Sequence, residues 1–233
     1  MKRRNVLNKT IPILISIGLF ACRTEPALDQ ERSLPFYGTH DVSLENQPDG
    51  TKLADTTYFT VPGFSFINQD SIEVSHQDYR NHIYVTDFFF TTCPSICPVM
   101  SAQMSRLQDM LKQEDLFGPV MLLSHTIDPE KDTPEMLQAY AQRMGADTEQ
   151  WNFVTGDKDD LYDQARYGYF MTALESDTAA GGFFHSDNFV LIDRGGRLRG
   201  YYDGTSTKEV NQLFEDILLL TQEKNGFSQD RAE

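Results

Sequence analysis

Cysteine is scarce in this chain, with three residues in 233, at Cys22, Cys93 and Cys97. Three is too few for a disulfide-stapled scaffold, and an odd count leaves one thiol to be explained separately. Positive charge is also short: 20 Lys+Arg face 35 Asp+Glu, a formal net charge of -15. A polyanion of this kind does not hold nucleic acid or bare anionic lipid by electrostatics. No long hydrophobic run occurs. The one sustained apolar stretch, Ile11 to Phe20, is broken by Pro12, Ser16 and Gly18 and is too short to span a membrane. Proline is absent after Pro134, a gap that matters below. Against these absences stand 16 Phe, 10 Tyr and 39% hydrophobic residues, ample for one aromatic-rich core with tails.

The N-terminus accounts for the odd cysteine. Lys2, Arg3 and Arg4 precede the apolar stretch and Ala21 precedes Cys22, the layout of an export signal. Leu19-Phe20-Ala21-Cys22 resembles a bacterial lipobox, which implies cleavage before Cys22 and lipid on its thiol, with Phe20 bulkier than that motif usually takes. The expected organisation is a signal peptide at 1–21, a lipid-anchored flexible linker at 22–54, a folded domain at 55–224 and a frayed tail at 225–233. Cleavage would remove Lys2, Arg3, Arg4 and Lys9 and no acid, taking -15 to -19. The linker reading rests on a polar stretch holding Pro26, Pro35 and Pro48 with no sustained periodicity.

Within the domain, apolar alternation and short runs predict strands at Tyr58–Thr60, Ser71–Val74, Ile83–Phe90, Val120–Ile127, Phe153–Val154, Phe189–Ile192 and Leu198–Tyr202. Helical spacing predicts helices after Pro98 (Met100, Met104, Leu107, Leu111) and after Pro134, where Thr133 is the expected N-cap. A weaker helix is expected from Asp159 to Tyr169 and a final one from Lys208 to Glu223. This alternation predicts an α/β fold, a mixed sheet with helices on both faces.

The chemistry concentrates where Val85–Phe90 ends, in Cys93-Pro94-Ser95-Ile96-Cys97-Pro98. A strand emptying into a loop and then a helix N-terminus is a favoured site in open α/β folds. Pro98 suits the first helical turn, so Cys97 is expected at the helix start, where unpaired N–H groups favour thiolate. Cys93, four residues back, can share one ion with Cys97 or join it as a disulfide. Two soft thiolates suit Cu(I), while zinc remains open on ligand type alone.

The Cys-Pro-x-x-Cys-Pro motif, Ile127-Asp-Pro-Glu-Lys-Asp-Thr-Pro134 before a helix, and His185-Ser-Asp-Asn-Phe-Val-Leu-Ile-Asp193 together resemble the SCO/SenC family over roughly residues 55 to 222. That family comprises copper-handling proteins that help assemble cytochrome c oxidase. The resemblance implies a thioredoxin-like fold and one copper ion, Cu(I) or Cu(II), held by Cys93, Cys97 and His185. It also implies the copper-centre subunit of a cytochrome c oxidase as partner, with a thiol reductant or copper donor beside it, while the N-terminal signal and lipobox predict a place in the bacterial cell envelope, outside the cytoplasm. If Cys93 and Cys97 form a disulfide, copper cannot bind, so reduction would gate loading.

The competing class is a thiol–disulfide oxidoreductase of thioredoxin-like fold. Against it stand three intervening residues where those enzymes have two, and the absence of a proline after Pro134 to face the cysteines. For it stands Asp87, six residues before Cys93, where thioredoxins carry a buried carboxylate; a hydrogen-bonded strand role is the alternative. His125 is expected in the core or supporting the ligands, and Asp128 shaping its loop or hydrogen-bonding near the metal. Met100 and Met104 read as core. His40, His76 and His82 carry no placement signal.

Overall fold

The computed structural model describes residues 33–46, 51–176 and 182–223. The expected signal peptide, Cys22 and the 225–233 tail lie outside the described residues. The chain is already built into the body at Leu34, which is buried. The backbone carbonyls of Leu34 and Pro35 accept from the Arg199 guanidinium at 3.0 and 3.2 Å. Tyr37 N–H donates to Leu198 O at 3.0 Å. Strands β1 (His40–Asn46) and β2 (Lys52–Tyr58) then pair as an antiparallel hairpin. The segment expected as linker is therefore structured over residues 34–46 and from 52 onward. Leu34, Phe36 and Tyr37 supply the reason: Phe36 stacks on Tyr58 with ring centroids 4.0 Å apart, an apolar footing hidden in a polar average.

Strands β3 (Ser65–Asn68) and β4 (Glu73–Ser75) form a second hairpin. After it come β5 (Ile83–Phe89), α1 (Cys97–Gln113), β6 (Val120–Thr126), α2 (Pro134–Met144) and β7 (Trp151–Thr155). α3 (Lys158–Asp163) runs into a π-helical turn, Gln164–Gly168. A small hairpin, β8 (Ala173–Glu175) with β9 (Phe183–His185), precedes β10 (Asn188–Ile192), β11 (Leu198–Asp203) and α4 (Thr207–Gln222). Seven strands make one mixed sheet in the order β11-β10-β5-β6-β7-β3-β4, with β5, β6 and β7 parallel and the remaining pairings antiparallel. The short strands β3, β8 and β9 escaped the periodicity, which needs more than three or four residues to register.

Every residue of β5 is buried, as a central parallel strand requires. Its alternation divides the core. Phe89 meets Tyr140 of α2, which bonds Ser101 of α1, on one face. Phe88 meets Tyr169, at the end of the π-helical turn, on the other. Helical elements thus cover both faces, the expected architecture. Phe88, Phe89 and Phe90 are all at most 1% exposed, each contributing roughly 1.5–3 kcal/mol by burial. Thr133 caps α2 by accepting from Met136 N–H, and Gly145 ends it with φ +68°, a left-handed conformation natural to glycine.

Candidate metal centre

β5 ends at Phe89, and the chain turns through Thr91–Ile96 before α1 starts at Cys97 with Pro98 in its first turn. The cysteines therefore sit on different supports. Cys97 is fixed by the helix and 1% exposed; Cys93 lies on the loop, 9% exposed, its N–H bonded to Phe90 O at 3.2 Å. Both thiols are free. The third arm comes from the β8–β9 hairpin, whose register pairs Ala173 with His185 and aims the imidazole at the thiols. His185 Nε2 stands 3.3 Å from Cys97 Sγ, and the ligand atoms of Cys93, Cys97 and His185 all lie within 4.8 Å of one another. Phe90 meets the His185 ring edge-on, and Phe183 packs on Phe90 at 5.1 Å, walling one side with rings.

The protonation pattern prepares this cluster for a cation. His185 Nδ1–H donates to Ser186 O at 2.8 Å, which leaves the Nε2 lone pair facing sulfur. The two thiols share one proton unequally. The hydrogen bond from Cys97, aided by the backbone N–H groups of Ser95 and Cys97, holds Cys93 below the ordinary thiol range. The same bond, with burial, pushes Cys97 up. The thiolate thus falls on Cys93, not on Cys97 at the helix start as the sequence suggested. The more exposed sulfur, ringed by N–H donors, carries the charge, and its neighbour keeps the proton. Among the described residues no fourth His, Cys, Asp or Glu joins the three. That disfavours a four-ligand structural zinc site and suits a Cys2His copper set.

The family assignment rests on the whole domain. Residues 54–220 match the SCO1/SenC family. The chain belongs to that family. Its thioredoxin-like fold is shared with a SCO1/SenC family lipoprotein from Bacillus anthracis, 32% identical, TM-score 0.65, covering 70% of this chain and 95% of that one. BsSco, a member of the Sco family of cytochrome c oxidase assembly proteins described as having a disulfide switch, is 28% identical, TM-score 0.63, over 71% of this chain and 95% of its own. The copper-bound ScoI of Bradyrhizobium japonicum, at 23% identity and TM-score 0.55 over 67% of this chain and 98% of that one, shares the fold.

The remaining candidates of this SCO1/SenC domain divide by strand alternation. Asp87, 1% exposed, lies on the α1 face and accepts from the Ser124 hydroxyl at 2.5 Å. Ser124 in turn accepts from Trp151 Nε1–H at 2.9 Å. Burial pushes Asp87 up to about 6, against the opposing pull of the Ser124 hydroxyl. His125 pairs in register with Phe88 and is turned to the opposite face, among Phe64, Phe66, Phe88 and Tyr169. It does not back the ligands. Its Nδ1 meets Thr86 Oγ1 at 3.0 Å, its Nε2 has no partner, and burial depresses it to about 3.

Asp128 shapes its loop: its carbonyl accepts from Lys131 and Asp132 N–H, and its carboxylate pairs with Lys131 at 2.9 Å. Sequence reasoning passed over Asp132, though it stands inside the quoted Asp-Pro-x-x-Asp-Thr-Pro segment. It is fully buried, accepting from Thr91 N–H at 3.1 Å, from the Thr91 hydroxyl, and from the Thr126 hydroxyl at 2.5 Å. Three donors converging on one carboxylate from the Thr91 loop and the end of β6 is a tertiary event with no local signature. Among the described peptide bonds none is cis, so no cis-proline faces the cysteines.

Proposed function

We propose that this chain is a lipid-tethered, extracytoplasmic copper-binding chaperone that delivers copper to, or keeps reduced, the binuclear copper centre of a respiratory cytochrome c oxidase. The observation that carries the reading is the convergence of two thiols and one imidazole within 4.8 Å. Copper is cargo here, one ion per chain. Two sulfurs accept Cu(I), and the imidazole lets the same set hold Cu(II). Cys93 is ready as thiolate, Cys97 gives up its proton on loading, and His185 presents a lone pair already oriented by Ser186 O. Oxidation of the pair to a disulfide would remove both soft donors, so a thiol reductant belongs among the partners. Family membership, the copper-bound ScoI and the oxidase-assembly role of BsSco support the cargo and the target. The basic N-terminus, the short apolar run and Cys22 support export and lipid attachment.

A thiol–disulfide oxidoreductase is the second reading, favoured by Asp87, a buried carboxylate on the α1 side of the sheet as in thioredoxins. An anaerobic copper titration of the reduced domain separates the two. One copper bound per chain, lost in Cys93→Ser, Cys97→Ser and His185→Ala, supports the chaperone. No tight binding alongside fast disulfide turnover sinks it. Tethering is tested by Cys22→Ser, which should move the protein from the membrane to the soluble fraction.

A further inference from the structure

The three ligands ride on two independent arms, the β5–α1 connection and the β8–β9 hairpin, and something must hold those arms in register. Cys97 needs no help, since α1 fixes it. Cys93 is different. It lies outside the helix on a loop, and its backbone bonds, its own N–H to Phe90 O and the Ser95 and Cys97 N–H groups at its sulfur, are all made within residues 90–97. The segment 127–133, between β6 and α2, touches both arms. On one side Asp132 takes the Thr91 N–H at 3.1 Å and the Thr91 hydroxyl, two residues before Cys93. On the other side the Lys131 ammonium stands over the Phe183 ring at 5.9 Å, two residues before His185. The segment is itself anchored. Asp132 accepts from Thr126 at the end of β6, its N–H donates to Asp128 O at 2.9 Å, and Tyr162 donates to Ile127 O at 2.8 Å.

We propose that Asp132, with Lys131 beside it, is the positioning residue of the centre, bracing the Cys93 loop and the His185 hairpin at ligand spacing from one fixed segment. Asp132 touches no ligand atom; it acts through Thr91. Its carboxylate is suited to the task because two oxygens can take three donors, and charged acceptors make the stronger hydrogen bonds. An amide in its place keeps one acceptor oxygen and turns the other group into a donor facing donors. The inference deepens the copper reading and rests on it for its metal arm, while its metal-free arm stands apart.

Asp132→Asn and, as a variant that leaves the carboxylate in place, Thr91→Val are compared with wild type in two measurements. In the reduced, metal-free domain, iodoacetamide should modify Cys93 severalfold faster once its loop is released, with Cys97 unchanged. In anaerobic competition, Cu(I) affinity should fall by about tenfold, the scale of one lost charged hydrogen bond. A general loss of structure would expose both thiols alike; a brace acts through Cys93, so Asp132→Asn should leave the Cys97 alkylation rate within about twofold of wild type. If Asp132→Asn does not fold, Thr91→Val decides by the same readouts. Unchanged Cys93 alkylation in the folded variants overturns the proposal, as does an equal acceleration at Cys97. If wild type itself binds no copper, the function reading fails and the alkylation arm still decides the brace.

Discussion

Cys97 Sγ and His185 Nε2 stand 3.3 Å apart although 88 residues separate them in the chain. The contact closes the site from the hairpin side and leaves Cys93, on the opposite side of Cys97 in sequence, as the sulfur with the greater exposure. Charge follows exposure, because solvent and backbone N–H groups stabilise a thiolate better than a buried pocket does.

That asymmetry predicts the order of thiol chemistry. In the reduced protein Cys93 should be alkylated first, and it should keep its reactivity at a pH below the range in which an ordinary thiol slows, since its neighbours hold its thiol down. Mass mapping of the labelled peptide checks this. A rate that climbs through pH 8–9 as for an ordinary thiol would contradict it.

Asp87 should make the fold less stable as pH rises. Its folded value, about 6, exceeds the ordinary 3.8, so between those values the native state holds the proton more tightly than the unfolded chain. Stability from this group is present below about pH 4 and lost by about pH 6, an order of 3 kcal/mol. Asp87→Asn, which keeps an acceptor for Ser124, should therefore raise the melting temperature at pH 8 and leave it unchanged near pH 3.5. Thermal unfolding across pH reads this directly, and a destabilised variant at pH 8 would refute it.

His125 works in the other direction. Its folded value of about 3 lies below the ordinary 6.5, so its contribution is complete above pH 6.5 and drains away as the pH falls, by as much as about 5 kcal/mol. His125→Phe should flatten the acid limb of chemical denaturation between pH 6.5 and 4. Thr86 keeps its bond to Leu123 O at 2.7 Å. Because the ring lies on the face away from the thiols, copper affinity should be unaltered; a tenfold loss would put His125 back among the supports of the site.

Arg199 anchors the N-terminal segment. It is 1% exposed in its side chain and pairs with Asp193 at 3.0 Å and Glu223 at 2.8 Å, while donating to Leu34 O and Pro35 O. Arg197 also pairs with Asp193, so Arg199→Met should cost toward the lower end of the range for breaking a buried pair, about 3 kcal/mol. Limited proteolysis should then cut between residues 33 and 39 before the sheet unfolds. Resistance there equal to wild type would show that the segment is held by its rings instead.

Much of this molecule was legible in one dimension. The helices after Pro98 and Pro134, the central strands and the thiol pair at a strand end are written in periodicity and in spacings of four residues, which local backbone geometry converts directly into neighbours. The hairpin segment 40–58 was not legible, because Leu34, Phe36 and Tyr37 acquire a partner face only when β11 and Arg199 are beside them. Nor could the sequence sort Asp87 from His125. β5 and β6 are buried on both faces, so no polar alternation marks which side holds the thiols, and the parallel register Asp87–Ser124, Phe88–His125 decides it.

What the sequence by itself determined is the donor chemistry: Cys93 and Cys97 lie within reach because one turn of chain joins them, and their flanking prolines and strand fix that turn. Tertiary structure brought His185, which the family resemblance implied, up to the thiols, and it alone decided which sulfur is the more exposed and that Asp132 ties their loop to the sheet. Those outcomes depend on strand order, burial and hydrogen bonds closed between segments far apart in the chain, and such contacts have no period to read.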